Sequence, residues 1–308
     1  MKGVWKDFAK TYKIQEVLGF GGYGGVYLVR DRKTGDKYAL KVYTDDNLKI
    51  AKSERLREAT LLQEANGRCG IPLMYDTFML ASNPQRNSKR QFRISKRGPP
   101  CPALLMDYVE GQDLSEWRRD NPPTEAQVID ITTQLSRSLA CLHAIGIAHR
   151  DVKLPNIIID PQGNIRLVDV GISCTIGNPE SSPLVQCKNA ELIGSFDILP
   201  PEALLDGMVG YPVETYFAAD IWAIGTIAYD LLASDFLIQS AFDFFPAYPY
   251  KTPLPLPAYK QRLDNLEISA EFKSVLRRML HKDPAKRPTA IEAVEQLERL
   301  HGSIKTQT

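Results

Sequence analysis

The period of the hydrophobic pattern changes once along this chain, and that change limits the possible folds more than any other feature. From Tyr12 to Val42 apolar and β-branched residues alternate with polar ones, as in VYLVRD and KYALKVY around the turn KTGD, which predicts antiparallel strands. From Asp113 onward the spacing becomes helical. Thr124 is placed to cap a long helix running to about Ala144, and segments near 217–233, 269–281 and 289–301 repeat the pattern. In between, SERLREATLLQEA (53–65) reads as a helix, and 71–80 and 103–109 as further strands. The expected class is α+β, with a small β-rich lobe ahead of a larger α-rich lobe.

The first two strands meet at LGFGGYGGVY (18–27), where Gly21, Gly22, Gly24 and Gly25 let the backbone approach an anion with no Cβ in the way. Gly19-x-Gly21-x-x-Gly24 also matches a dinucleotide fingerprint, but that site needs a helix to begin at the last glycine. A strand follows instead, so the glycines belong at a hairpin tip.

With 308 residues and 44% hydrophobic composition, the chain has ample material for a buried core. Its 38 basic and 37 acidic residues give no global excess favouring nucleic acid or an anionic membrane surface, so neither is expected as a specific partner. Cys69, Cys101, Cys141, Cys174 and Cys187 are odd in number and lack a C-x-x-C pair, which suggests free thiols in a reducing compartment. The longest apolar tract, 217–233, contains Asp220 and Asp230 and reads as a buried helix rather than a membrane span. These features favour a cytoplasmic location. Two stretches look irregular, 82–100 and the aromatic, proline-rich 244–259.

The chemistry concentrates in the second half. AHRDVKLPNIII (148–159) places Asp151, Lys153 and Asn156 within six residues, and IRLVDVGIS follows with Asp169. A carboxylate and an amide five apart on a loop, with a second carboxylate after a strand, form a sensible base and Mg²⁺ set, because Mg²⁺ takes a few hard oxygen ligands alongside phosphate.

Taken in order, the glycine loop, Lys41 in YALK, Glu58 on the next helix, HRD (149–151), Asn156, Asp169-Val170-Gly171, Pro200-Pro201-Glu202, DIWAIG (220–225) and Arg287 in KRPT resemble a eukaryotic-type protein kinase. The resemblance runs from about Tyr12 to His301. It implies the bilobal kinase fold, with an extension at 1–11, an N-lobe of about 12–107, a C-lobe of about 110–301 and a tail at 302–308.

It also implies roles. Lys41 would hold the α- and β-phosphates of ATP, oriented by Glu58, which the helical register favours over Glu54 and Glu64. Asn156 and Asp169 would coordinate Mg²⁺, Lys153 would offset charge on the transferred phosphoryl group, and Asp151 would accept the hydroxyl proton. Gly19, Gly21 and Gly24 would line the phosphates. Leu18, Val26, Ala39, Ile158 and Val168 would wall the adenine, with Met106 before the hinge and the backbone of Asp107 and Val109 supplying polar edges. Glu202 and Arg287 would form a buried ion pair, and Asp220 would anchor the catalytic loop.

The position of Lys153, with Ser195 where serine/threonine kinases usually have a bracing threonine, implies protein serine or threonine as acceptor. No arginine occurs between Arg150 and Arg166, where tyrosine kinases carry one. A pseudokinase is disfavoured because all six polar catalytic positions are intact, and a small-molecule phosphotransferase because of Gly194-Ser195, Pro200-Pro201-Glu202 and Arg287.

Three features depart from the pattern or extend it. Val170 replaces the usual phenylalanine and is expected to alter the balance between active and inactive arrangements. Ser173, Thr175, Ser181, Ser182 and Ser195 are the hydroxyls whose phosphate Arg150 could receive. Arg86 to Arg97 carries six basic residues and no acidic one, which suggests an exposed loop for an acidic partner, or a nuclear-import signal.

Overall fold

The computed structural model describes residues 4–21, 24–44, 48–86, 92–94, 99–177, 181–188, 199–204, 212–233 and 261–305. Ser195 and the run 244–259 lie outside the described residues. The chain divides into two compact units, Met1–Val109 and Glu110–Thr308.

In the first unit, β1 (Tyr12–Gly21), β2 (Gly24–Asp31), β3 (Lys37–Tyr43), β4 (Met74–Leu80) and β7 (Cys101–Asp107) form an antiparallel sheet of order β1-β2-β3-β7-β4. Because side chains alternate across a strand, register decides which residues share a face. Tyr27, Val29, Leu40, Val42, Ala103 and Leu105 share one face and pack with Phe8 and Phe78 into the core. Phe8 comes from α1 (Val4–Thr11), a helix without a counterpart in the expected elements. On the opposite face Val26 pairs with Lys41 and Lys41 with Leu104, while Leu28 pairs with Ala39 and Ala39 with Met106. The helix expected at 53–65 is α2 and starts earlier, at Leu48–Ala65. The stretch 82–100, expected to be irregular, contains a small hairpin in which β5 (Pro84–Arg86) pairs with β6 (Phe92–Ile94).

The second unit is mainly helical. It comprises α3 (Leu114–Asp120), α4 (Glu125–Ala144), the short α5 (Pro201–Leu204), α6 (Tyr216–Ala233), α7 (Ala270–Met279) and α8 (Ala290–Lys305). Thr124 caps α4 as expected, in a reciprocal box: Thr124 Oγ1 accepts from Gln127 N (3.3 Å), and Gln127 Oε1 accepts from Thr124 N (2.9 Å). Thr124→Ala removes one half of that box and is expected to cost about 1 kcal/mol of stability, read as a lower denaturation midpoint.

Helix α4 packs against α6 and α8. Helix α6 is buried almost all round, from Ala219 to Leu231. Gly225 permits this, because a Cβ there would stand 2.8 Å from Leu280 Cγ. Among the described residues no helix is long and apolar enough to cross a membrane.

Short strands carry the loops of interest. β8 (Gln112–Asp113), β10 (Ile157–Ile159) and β11 (Ile165–Leu167) form one small sheet, and β9 (Ile147–Ala148) pairs with β12 (Cys174–Thr175). The expectation of free thiols throughout does not hold, because Cys174 and Cys187 form a disulfide across a separation of 13 residues. Backbone pairing aligns them: Thr175 N donates to Val185 O (2.8 Å) and Cys187 N to Thr175 O (3.0 Å). Cys101 keeps a free, buried thiol whose pKa burial pushes up.

Candidate functional site

The polar candidates fall into two sets, one in each unit. In the first unit, Lys41 lies in β3 and Glu58 in α2. Lys41 Nζ donates to Glu58 Oε2 at 2.7 Å and to Oε1 at 3.0 Å, with the lysine 6% and the glutamate 1% exposed. So buried a carboxylate keeps its charge only where donors and a counter-charge replace water. Of the three glutamates considered for this pairing, Glu58 is the one that meets Lys41.

The glycines of the β1–β2 hairpin have different physical reasons. Gly21 pairs with Gly24 at its end, as expected of a tip. Gly24 has φ +140, and a Cβ there would lie 1.9 Å from the carbonyl oxygen of Val42, so β3 and β2 can pair here only around a glycine. A Cβ on Gly19 or Gly21 would meet nothing within 4 Å, which leaves that stretch of β1 open to an approaching group.

Val26, Ala39, Lys41 and Met106 share the sheet face opposite the core, with Ala39 and Met106 buried and Leu18 41% exposed on β1. Asp107 ends β7 under tight restraint. Its carboxylate accepts from Leu73 N (2.9 Å) and from the Tyr75 hydroxyl (2.8 Å), and that bond pushes Tyr75 up to about 12. The Asp107 N–H donates to Leu73 O (2.9 Å), which ties the end of β7 to the residue before β4. Val109 is half-buried at the end of this unit.

In the second unit, antiparallel pairing of β10 with β11 sets Asn156, just before β10, beside the end of β11, two residues from Asp169. Val168 N donates to Asn156 O (2.8 Å) and closes that end. Asn156 Nδ2 donates to the Asp151 carbonyl (2.9 Å) and to Asp151 Oδ2 (2.8 Å). The same Oδ2 receives Lys153 Nζ at 2.9 Å. Asp151, Lys153 and Asn156 are thus brought together as one polar group. Ile158, in the middle of β10, and Val168 are half-buried.

This loop is held from the core of the unit. Asp220 of α6 accepts from His149 N (Oδ2, 2.8 Å) and Arg150 N (Oδ1, 2.8 Å), and its Oδ2 meets His143 Nε2 at 2.9 Å. Ser173 Oγ donates to His149 O (3.0 Å) from the following segment. Burial pushes His149 below the ordinary histidine value, against the opposing pull of Asp220, Asp151 and Asp169. Arg150 and Asp169 both adopt left-handed backbone, with φ 70 and 64, a conformation that non-glycine residues seldom take.

Arg150 is 4% exposed; its guanidinium lies 4.5 Å from the Tyr216 ring centroid and Nη1 donates to Cys174 Sγ (3.4 Å). Of the hydroxyls considered as phosphate acceptors, Ser173, Thr175 and Ser181 are buried, and Ser182 is half-buried and accepts from Leu184 N. Val170 is 2% exposed. Glu202 and Arg287 meet in a bidentate pair, Nη1–Oε1 at 2.7 Å and Nη2–Oε2 at 2.6 Å.

A divalent cation fits the donor chemistry of the second unit. The amide nitrogen of Asn156 is spent on Asp151, which leaves its Oδ1, a hard neutral oxygen, while Asp169, two residues beyond β11, offers a carboxylate. Among the described residues there is no cluster of three or more His, Cys, Asp or Glu that would hold a metal by itself. Two oxygen donors suit Mg²⁺, which retains waters and takes phosphate oxygens for the remainder.

The family model described as a protein kinase domain matches residues 12–297. The chain is 27% identical over 297 residues to the serine/threonine-protein kinase pkn3 of Myxococcus xanthus, covering 94% of this chain and 50% of that protein. It is 27% identical over 302 residues to the serine/threonine-protein kinase PknB of Mycolicibacterium smegmatis, covering 96% and 44%. With PknB of Mycobacterium tuberculosis the identity is 28% over 296 residues, covering 94% and 43%. The chain therefore spans half the length, or less, of these curated relatives.

Proposed function

This chain belongs to the protein kinase domain family, and from that premise we infer that it transfers the γ-phosphoryl group of Mg-ATP to serine or threonine hydroxyls of proteins. The observation that carries the reading is the arrangement at Asp151, whose Oδ2 receives Lys153 and Asn156 together while Asp220 fixes the backbone at His149 and Arg150 immediately before it. The serine/threonine relatives support the choice of acceptor.

On this reading the substrate hydroxyl attacks the γ-phosphorus, the bond from phosphorus to the β-phosphate oxygen breaks, and the hydroxyl proton passes to the Asp151 carboxylate. Lys153, already beside Asp151, offsets negative charge on the transferred group. Lys41, aligned by Glu58, neutralises the α- and β-phosphates. Asn156 and Asp169 would hold Mg²⁺, which supplies charge neutralisation for the phosphates when bound. The open side of Gly19 and Gly21 would admit the phosphates, and the Val26, Ala39 and Met106 face, with Leu18, would receive adenine. We assign the basic run Arg86 to Arg97 to an acidic partner surface on its charge alone.

Phosphoamino-acid analysis tests the reading. Purified chain incubated with Mg-ATP and a peptide library containing serine, threonine and tyrosine is expected to yield phosphoserine and phosphothreonine. A product dominated by phosphotyrosine, or no transfer at all, would overturn it.

A further inference from the structure

The ion pair of Lys41 and Glu58 has a third member. Tyr43 lies two residues after Lys41 in β3, and a separation of two puts both side chains on the same face of the strand. There the Tyr43 hydroxyl donates to Glu58 Oε2 at 2.6 Å, the same oxygen that receives Lys41 Nζ at 2.7 Å. Lys41 Nζ also lies 5.6 Å from the centroid of the Tyr43 ring. Tyr43 and Glu58 are each 1% exposed, so bulk water does not compete for these bonds.

The distance is that of a hydrogen bond to an ionised acceptor, a class about twice as strong as neutral ones. A lysine is a point charge on a flexible stem, and by itself it leaves the plane of a carboxylate free to turn. A second donor on Oε2 fixes that plane. The Glu58 oxygens then face Lys41 in one orientation, and the ammonium is set by a carboxylate that cannot swing away.

We propose that Tyr43 is a positioning residue for phosphoryl transfer, acting through Glu58 to hold Lys41 in its phosphate-binding orientation. The proposal rests on the kinase reading above. Tyr43→Phe keeps the ring over Lys41 and removes only the hydroxyl. It is expected to lower kcat/KM for ATP about tenfold, mainly through a higher KM for ATP, with KM for the peptide unchanged.

Because the hydroxyl acts through Glu58, the same change made in a Glu58→Ala chain, which leaves the hydroxyl no acceptor at position 58, is expected to alter kcat/KM by less than about twofold, the signature of a coupled pair. Equal losses in both backgrounds, or wild-type kinetics for Tyr43→Phe, would overturn the proposal. A second measurement needs no turnover: the ammonium resonance of Lys41, assigned by its loss in Lys41→Met, is expected to be slow to exchange in the wild-type chain and to broaden in Tyr43→Phe. An unchanged resonance would refute the role of Tyr43 and leave the catalytic reading untouched, whereas absence of transfer by the wild-type chain would overturn that reading and the role of Tyr43 with it.

Discussion

Asp151→Asn is expected to lower kcat by about 10²- to 10⁴-fold, the usual contribution of a positioned general base, with the fold and nucleotide affinity retained. The side chains are nearly isosteric, and the amide oxygen can still accept from Lys153 Nζ and Asn156 Nδ2, which meet Asp151 Oδ2 at 2.9 and 2.8 Å. What the amide cannot do is take up the hydroxyl proton. The backbone of the loop should stay in place, because it is Asp220 that holds His149 N and Arg150 N. Steady-state kinetics beside a thermal melt and an ATP titration separate these effects. A kcat within tenfold of wild type would remove Asp151 from the role of base.

The largest effect on stability is expected at Glu202. Arg287 has no exposed side-chain surface, and it donates to both Glu202 oxygens, to Ala218 O (3.0 Å) and to His281 O (2.8 Å), with its guanidinium 5.0 Å from the Trp222 ring centroid. Glu202→Ala strands that buried cation, and removing one partner of such a pair costs about 3–5 kcal/mol. Glu202→Gln keeps an acceptor for one nitrogen and should cost less. Denaturant unfolding followed by tryptophan fluorescence, with Trp222 packed at the site, measures both variants. A loss below about 1 kcal/mol for Glu202→Ala would mean that Arg287 regains water in the variant.

Much of this site is written locally in the chain. The hairpin at Gly21 and Gly24 follows from alternating strands on either side of a glycine run. The cap at Thr124 follows from a hydroxyl three residues ahead of Gln127. Glu58 was distinguishable from Glu54 and Glu64 because helical register leaves Leu61 and Leu62 to face inward, and both are buried.

What escaped depends on neighbours distant in sequence. The Cys174–Cys187 bridge depends on the pairing of Thr175 with Gln186, through hydrogen bonds to Val185 O and from Cys187 N, which no spacing of cysteines encodes. The β5–β6 hairpin pairs Pro84, Gln85 and Arg86 with Phe92, Arg93 and Ile94, strands of three residues that are too short to set a period and that include a proline. Tyr43 reads as one more aromatic residue in a strand. Its period-2 relation to Lys41 was available, but the identity of what waits on that face is supplied by α2. Arg150 likewise gives no sign in sequence that Tyr216 and Cys174 are its companions.

The left-handed backbone at Arg150 and Asp169 sets thermostability against turnover. Non-glycine residues in that region cost about 1–2 kcal/mol each, and the catalytic loop and the DVG turn both carry this cost at residues assigned chemical or supporting work. Glycine at Asp169 would relieve the strain while deleting the carboxylate. A laboratory selection that scores only heat resistance would therefore reward the loss of the carboxylate proposed to hold Mg²⁺, and the melting temperature of an evolved variant would be a misleading guide to whether it still works. Any programme to harden this chain must impose activity as a separate filter at these two positions.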